Sequence, residues 1–497
     1  MVSSEKYRVG LGPISVFCGA SEYPYNEKNP FREVNLEHQR QIERFGQILA
    51  GANIPLIWGA GQTGLMGAVS RSVIDHGGMA IGVSTEHLVN GKEGAQKGIA
   101  TLLVADSMQS RKMAFNKLSR AFVIFPGGIG TFDEVTEYLL ERENGEHHKP
   151  IVLVNIDGFY EPLLQYFNEL VKSRYMTQQA RDMLVVVRNA DEILPAITAE
   201  LLKLEADHHR HTRPIFSNET RIGQHNRIVV RRHFAELPIG RHNYPKCDLG
   251  VGSVAIISSS SEAALNYAAN APHRQEIEKL INLLAQYRLP RLIHSGQNSG
   301  MKGMIARLAK QQGIPAMGIT TKFLESQGHA DIHAETLLIA DNEQSAEFAL
   351  KNVSDAIIIG PGAIDSLEKL TDYLTEVDIK ESNQRLVIMN VGGHYDGLLN
   401  YFLYLIERGY FAPAAMAKLC IAKTAEEVIA QIKSPMPLGN AELLPNKMDL
   451  VAAVAADKPR QPAALIHDPN FPRYPVTADS VNLLMEKLGL VDFTGTA

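Results

Sequence analysis

A chain of 497 residues is too long for one ordinary hydrophobic core, so at least two domains of roughly 150 to 220 residues each are expected. With 45% apolar and 21% charged residues it can fill packed cores and shows no bias toward disorder, while a formal net charge of -6 argues against a nucleic-acid binder. Three scattered cysteines, Cys18, Cys247 and Cys420, exclude a disulfide framework and point to a reducing, cytoplasmic compartment.

The chain opens on MVSSEKYRVG, with charges where a signal peptide needs an apolar core, and no stretch reaches about 18 uninterrupted apolar residues, so no membrane association is expected. Short apolar runs follow at 14–18, 56–58, 80–83, 101–104, 121–125, 151–154 and 184–187. They alternate with helical patterns, among them 107–120 with Met113, Phe115 and Leu118, which is the signature of βαβ units. Residues 205–249 are irregular and rich in His and Arg, including His208, His209, Arg210, His211, Arg213, Arg231, Arg232 and His233. No metal-ligand spacing recurs there, so the stretch reads as a solvated linker. A second set of apolar runs comes next, and then a tail over 434–497 that is expected to wrap the surface, with a short closing pattern at 481–490.

The second set repeats the first. Pro126 and Pro361 differ by 235, and the same spacing relates Asp106 to Asp341, Asn155 to Asn390, Gly158 to Gly393, Tyr160 to Tyr395 and Tyr166-Phe167 to Tyr401-Phe402. Upstream, GAGQTGLMG at 59–67 aligns with SGQNSGMKG at 295–303. The chain is a tandem duplication, with copy one over 10–204 and copy two over 250–433. Each copy is expected to be an α/β domain with a mostly parallel sheet and helices on both faces, whose ligands sit at the carboxyl ends of the strands.

Three elements of copy one meet at that edge. FPGGIGTFDE at 125–134 is a glycine turn between a strand and a helix. Gly127, Gly128 and Gly130 let backbone approach a ligand, the helix N-H groups favour a phosphate, and Thr131 adds a hydroxyl. Thr131 and Glu134 also have the spacing of a capping box, which by itself would account for both. The second element is the glycine loop at 59–67, whose Gly61, Thr63 and Gly64 form a candidate wall for phosphate, ribose or base. The third is Arg111-Lys112, early in a helix that runs antiparallel to the following strand, so Arg111 reaches the level of Glu134.

Arg-Lys followed by PGGxGTxxE, with a GxGxxGLMG loop before it and Asn155, Asp157, Gly158, Phe159 and Tyr160 after it, resembles the LOG ("lonely guy") family over nearly all of copy one. Those proteins are phosphoribohydrolases of cytokinin riboside monophosphates and related nucleotides, long misnamed lysine decarboxylases. The resemblance implies two tandem Rossmann-like domains and catalytic roles for Arg111 and Glu134. It also puts Gly127, Gly128, Gly130 and Thr131 on a 5'-phosphate, with Lys112, Gly61, Thr63 and Gly64 as further substrate contacts. The expected reaction is hydrolysis of the N-glycosidic bond of a nucleoside 5'-monophosphate to free base and ribose 5-phosphate, with no cofactor and no metal. A carboxylate such as Glu134 suits it, because oxocarbenium character builds at C1' while water attacks.

In copy two the same offset places Ala346 opposite Arg111, Glu347 opposite Lys112, Asp365 opposite Gly130, Ser366 opposite Thr131 and Lys369 opposite Glu134. Copy two therefore reads as a folded but inactive homologue, with Asp365 expected to repel a phosphate. Since the family's subunits pair, copy two is expected either to complete an intramolecular pseudo-dimer or to offer a regulatory pocket for a different ligand, and the sequence does not choose between them; further homo-oligomerisation is open. The alternative is a non-catalytic nucleotide-binding or sensor protein. A decarboxylase would need a Schiff-base lysine, for which no motif is present.

Overall fold

The computed structural model describes residues 11–89, 99–210, 229–231, 245–331, 334, 336–340, 343–379, 385–416, 419–434 and 473–475. Most of the linker's His and Arg residues, and the closing pattern at 481–490, lie outside them. Among the described residues no helix is long and apolar enough to cross a membrane.

Copy one contributes β1 (Ile14–Phe17), β2 (Leu56–Trp58), β3 (Ala80–Thr85), β4 (Thr101–Ala105), β5 (Ala121–Ile124), β6 (Ile151–Val154) and β7 (Leu184–Val187). From the linker comes β8 (Val229–Arg231). Copy two contributes β9 (Ser253–Ile257), β10 (Arg291–His294), β11 (Ala316–Thr321), β12 (Thr336–Ala340), β13 (Ala356–Ile359), β14 (Arg385–Met389) and β15 (Cys420–Ala422), and the tail adds β16 (Arg473–Pro475). The central strands are short and rich in Val, Ile and Phe because helices cover both faces; β1, β5 and β6 are buried at every position.

Sheet one has the order β16-β4-β3-β2-β1-β5-β6-β7, and sheet two β15-β14-β13-β9-β10-β11-β12-β8. Among the described strands every pairing is parallel except that of β8 with β12. Each is a doubly wound Rossmann-like sheet. In both, the chain winds outward from the central strand and returns to its other side, so the order reverses between β1 and β5 and between β9 and β13. Their carboxyl ends form the crevice in which such sheets hold ligands. The linker and tail are not wholly irregular, as each lends one strand: β8 covers the β12 edge and β16 the equivalent β4 edge.

The two copies pack face to face. The helix Ile129–Asn144 lies against its counterpart Ile364–Ile379, and Glu161–Lys172 against Asp396–Arg408. Thr136 and Thr371, equivalent residues, share a hydroxyl hydrogen bond of 3.0 Å. Other contacts are mirrored: Tyr410 bonds His38 at 2.9 Å, and its equivalent Tyr175 bonds His273 at 2.6 Å. Asn35 Nδ2 reaches the Arg408 carbonyl as Asn270 Nδ2 reaches that of Ser173. Phe132 inserts edge-on between Tyr401 and Phe402, so one apolar core runs through both copies.

Candidate active site

The loop after β5 is the centre of the crevice. The helix it feeds begins at Ile129 with Gly128 as N-cap, so Thr131 and Glu134 lie inside the helix and do not form a capping box. The glycines have separate reasons. A Cβ on Gly127 would strike the Thr131 hydroxyl, and one on Gly128 would strike the carbonyl oxygen of Tyr410 from copy two. At Gly130 a Cβ would meet no atom within 4 Å, so the loop opens there onto free space. The helix's first N-H groups have no carbonyl one turn earlier to bond, and they face that space with the positive end of the helix dipole.

The loop is braced from below. Tyr160 Oη donates to the Phe125 carbonyl at 2.7 Å, and Asn155 accepts from Tyr160 N at 2.8 Å. In copy two, Tyr395 and Asn390 make the same two bonds at the same lengths. These landmarks, shared by both copies, hold the loop's shape.

Arg111 is buried, and its Nε donates to the Val83 carbonyl in the second half of β3 at 3.1 Å. Its guanidinium crosses the glycine loop so closely that a Cβ on Gly59 would lie 2.6 Å from Nη2. Glu134 is ringed by protein yet keeps part of its surface exposed, the arrangement of a group on the floor of a crevice. Burial pushes its carboxyl up to about 8; Arg111 pulls the other way, while Asp133 and Glu137 add to the rise. Arg111 and Glu134 thus stand within electrostatic reach of each other, with Glu134 one helical turn after Gly130.

Other predicted contacts are committed elsewhere. Lys112 Nζ is buried among Asp133 at 3.1 Å, Glu137 at 3.2 Å and Asp372 of copy two at 3.4 Å, so it binds the copies together and does not face the glycine loop. Thr63 occupies the N-cap position of the helix Gly64–Asp75 without a side-chain capping bond, and its hydroxyl donates instead to the Ala20 carbonyl at 2.8 Å. Gly64, at a φ of +55°, lets this loop touch the loop after β1, since a Cβ there would lie 2.7 Å from the Gly19 carbonyl oxygen. The Gly61 carbonyl accepts from Trp58 at 3.2 Å. Gly61, Thr63 and Gly64 therefore shape the wall through backbone fit. Sequence reasoning missed Tyr25, His38 and Tyr410, whose hydroxyl and imidazole groups join beside the glycine loop, with Tyr410 Oη 3.1 Å from Tyr25 Oη. Their only trace in the sequence is that the His38 and Tyr410 pair repeats as His273 and Tyr175.

In copy two the corresponding crevice is filled by ion pairs. Asp365 is not a bare charge that repels: its Oδ2 lies 2.8 Å from Lys302 Nζ. Lys369, at the Glu134 position, pairs with Glu343 at 2.9 Å and Glu368 at 2.8 Å.

The fold and this crevice define a tandem Rossmann-like protein that gathers a glycine loop, an arginine and a carboxylate at one sheet edge. The model of the family described as "Possible lysine decarboxylase" matches residues 66–197 and again 301–432, and the chain belongs to this family, the LOG family. Its relatives include the cytokinin riboside 5'-monophosphate phosphoribohydrolase LOG2 of Arabidopsis thaliana, 33% identical over 182 residues that span 36% of this chain and 80% of the relative. The cytokinin riboside 5'-monophosphate phosphoribohydrolase of Rhodococcoides fascians is 32% identical over 184 residues, 37% of this chain and 88% of the relative. Among solved structures, the molybdenum cofactor carrier protein of Chlamydomonas reinhardtii matches 38% of this chain and 99% of its own at 18% identity and a TM-score of 0.28.

Proposed function

We propose that copy one hydrolyses the N-glycosidic bond of a nucleoside 5'-monophosphate, releasing the base and ribose 5-phosphate. The observation that supports this reading is that Glu134, within electrostatic reach of Arg111, lies one helical turn after the free space at Gly130, where a helix N-terminus favours an anion. With the 5'-phosphate at Gly130 and Thr131, the ribose extends toward Glu134. The ionised carboxylate positions the attacking water, takes its proton and stabilises positive charge at C1' as the bond to the base breaks. The departing base takes up a proton and C1' gains the hydroxyl. Arg111 orients the carboxylate and sugar oxygens through its fork of donors. Copy two stands where a partner subunit would, and its Tyr410 supports the catalytic loop, giving a pseudo-dimer with one working site. The family description as a decarboxylase fits less well, because Lys112 is held by three carboxylates and presents no free amine to a carbonyl.

The test is to incubate the full chain with AMP, GMP, CMP, UMP and IMP and measure released base. Monophosphates are expected to react far faster than the corresponding nucleosides, because the phosphate anchors the sugar. Equal rates for AMP and adenosine would contradict the loop's role, and binding without base release would leave a sensor protein.

A further inference from the structure

The duplication gives two versions of one crevice, and they differ most at a single point. At Gly130 the space ahead of the loop is open. At the equivalent Asp365 a carboxylate enters it and is held there: Oδ1 accepts from the Ser366 N-H at 2.9 Å, and Oδ2 faces the Ser260 N-H at 3.3 Å and Lys302 Nζ at 2.8 Å. Ser366 follows the helix start as Thr131 does. Ser260 lies in the loop after β9 as Ala20 lies in the loop after β1, for Gly300 abuts Ser260 as Gly64 abuts Ala20. Lys302 takes the place of Met66 and is buried. The Ser260 and Ser366 hydroxyls also donate to the Asp365 carboxylate, at 3.4 and 3.5 Å, and the Ser366 N-H is shared with the Ala363 carbonyl. Backbone N-H groups, hydroxyls and an ammonium converging on two anionic oxygens are the donor set of a small phosphate site.

We propose that the Asp365 carboxylate is a built-in anion occupying the place where copy one takes a phosphate, so that copy two is closed to phosphorylated ligands by occupancy, and that its donors become a phosphate site when Asp365 is removed. This rests on the reading of the Gly130 loop as a phosphate cradle. It adds the Ala20 N-H to that cradle in copy one, beside the N-H of Thr131. It also accounts for the pairing of substitutions: Asp in place of Gly130 puts a carboxylate in the crevice, and Lys in place of Met66 neutralises it. Either change alone would leave a buried charge uncompensated. Glu143, from the copy one helix that ends here, also acts on this pair, and with burial as the main cause its own carboxyl rises to about 7. It is the second carboxylate that must be removed from an open site.

The test titrates inorganic phosphate into the full chain by calorimetry, for the wild type, Asp365→Gly, and Asp365→Gly combined with Glu143→Gln. One phosphate per chain is expected for the wild type and two for the combined variant. One phosphate per chain in both would overturn the proposal, as would two in the wild type. The reverse transplant, Met66→Lys with Gly130→Asp, guards against a failure of the first variants to fold. It is expected to weaken phosphate binding at copy one by about a hundredfold or more while the chain stays folded, and unchanged binding would overturn the proposal. The catalytic reading fails separately: a chain that binds phosphate as expected yet releases no base would refute hydrolysis and leave the plug standing.

Discussion

At Glu134 two effects oppose each other: burial and the neighbouring Asp133 and Glu137 disfavour the charge, and Arg111 favours it, with burial winning and the carboxyl pushed up to about 8. A group that must be ionised to accept a proton then loses its active form as pH falls through that value. Accordingly kcat/KM, which reports the free enzyme, is expected to rise about tenfold per pH unit below 8 and to level above it. A flat profile between pH 6 and 9 would remove the base role. Glu134→Gln keeps the shape but cannot carry the charge, so turnover is expected to fall by roughly 10²- to 10⁴-fold with normal thermal unfolding; an active variant would sink the assignment. Gly59→Ala tests the arginine without touching it. Its methyl group would lie 2.6 Å from Arg111 Nη2, a flexible end that can yield, so the fold is expected to survive while base release drops about tenfold or more. That Arg111 and Glu134 come within electrostatic reach of each other was legible in the sequence, because the spacing of helix and loop brings them to one edge. Lys112 was misplaced for a geometric reason: adjacent residues on a helix point about 100° apart, so when Arg111 faces the crevice its neighbour faces the other copy.

Among the elements, all seven copy one strands were readable, because parallel strands buried on both faces are continuous apolar runs bounded by helical patterns. The helix start at Gly128 was harder to place, since Thr131 and Glu134 imitate a capping box whose hydrogen bonds the loop does not make. The strands β8 and β16 could not be found that way. Each is three residues long, and it is an open edge elsewhere in the chain that makes them strands. The helix Ile129–Asn144 serves two ends, presenting its N-terminus to the crevice and its flank to the other copy. Phe132 sits between these roles, buried against Tyr401 and Phe402. Phe132→Ala is expected to cost about 3–5 kcal/mol, read by chemical denaturation as one shifted transition. A loss confined to a separate transition of copy one would show that the copies do not share a core.

For the whole molecule, the mirrored contacts are what support the proposed role of copy two as the partner of copy one. Equivalent residues meet each other or exchange partners across the interface: Thr136 with Thr371, Tyr410 on His38, Tyr175 on His273. Contacts that repeat in both directions are what an isologous pair makes, and they are the ground for proposing a pseudo-dimer. Copy one relies on it in two ways. Its apolar face, including Phe132, is covered by copy two, and the Tyr410 carbonyl packs directly against Gly128 of the loop after β5. A chain ending at residue 204 would lose both, and would leave Lys112 without Asp372 among its carboxylates. Two routes are open to such a fragment: to cover the bared face by pairing with itself, or to aggregate. Pairing does not restore the site's wall unchanged, because Tyr175 would take the place of Tyr410 while Ser173 would take that of Arg408, whose guanidinium stacks on Phe31 at 4.3 Å. The fragment is thus expected to run as a dimer or as aggregates in sedimentation, with base release per site reduced about tenfold or more. By contrast, Lys369→Ala in the full chain should leave the rate of copy one nearly unchanged, since that side chain pairs with Glu343 and Glu368 within copy two. A soluble, monomeric, fully active fragment would show that copy two is not the missing partner.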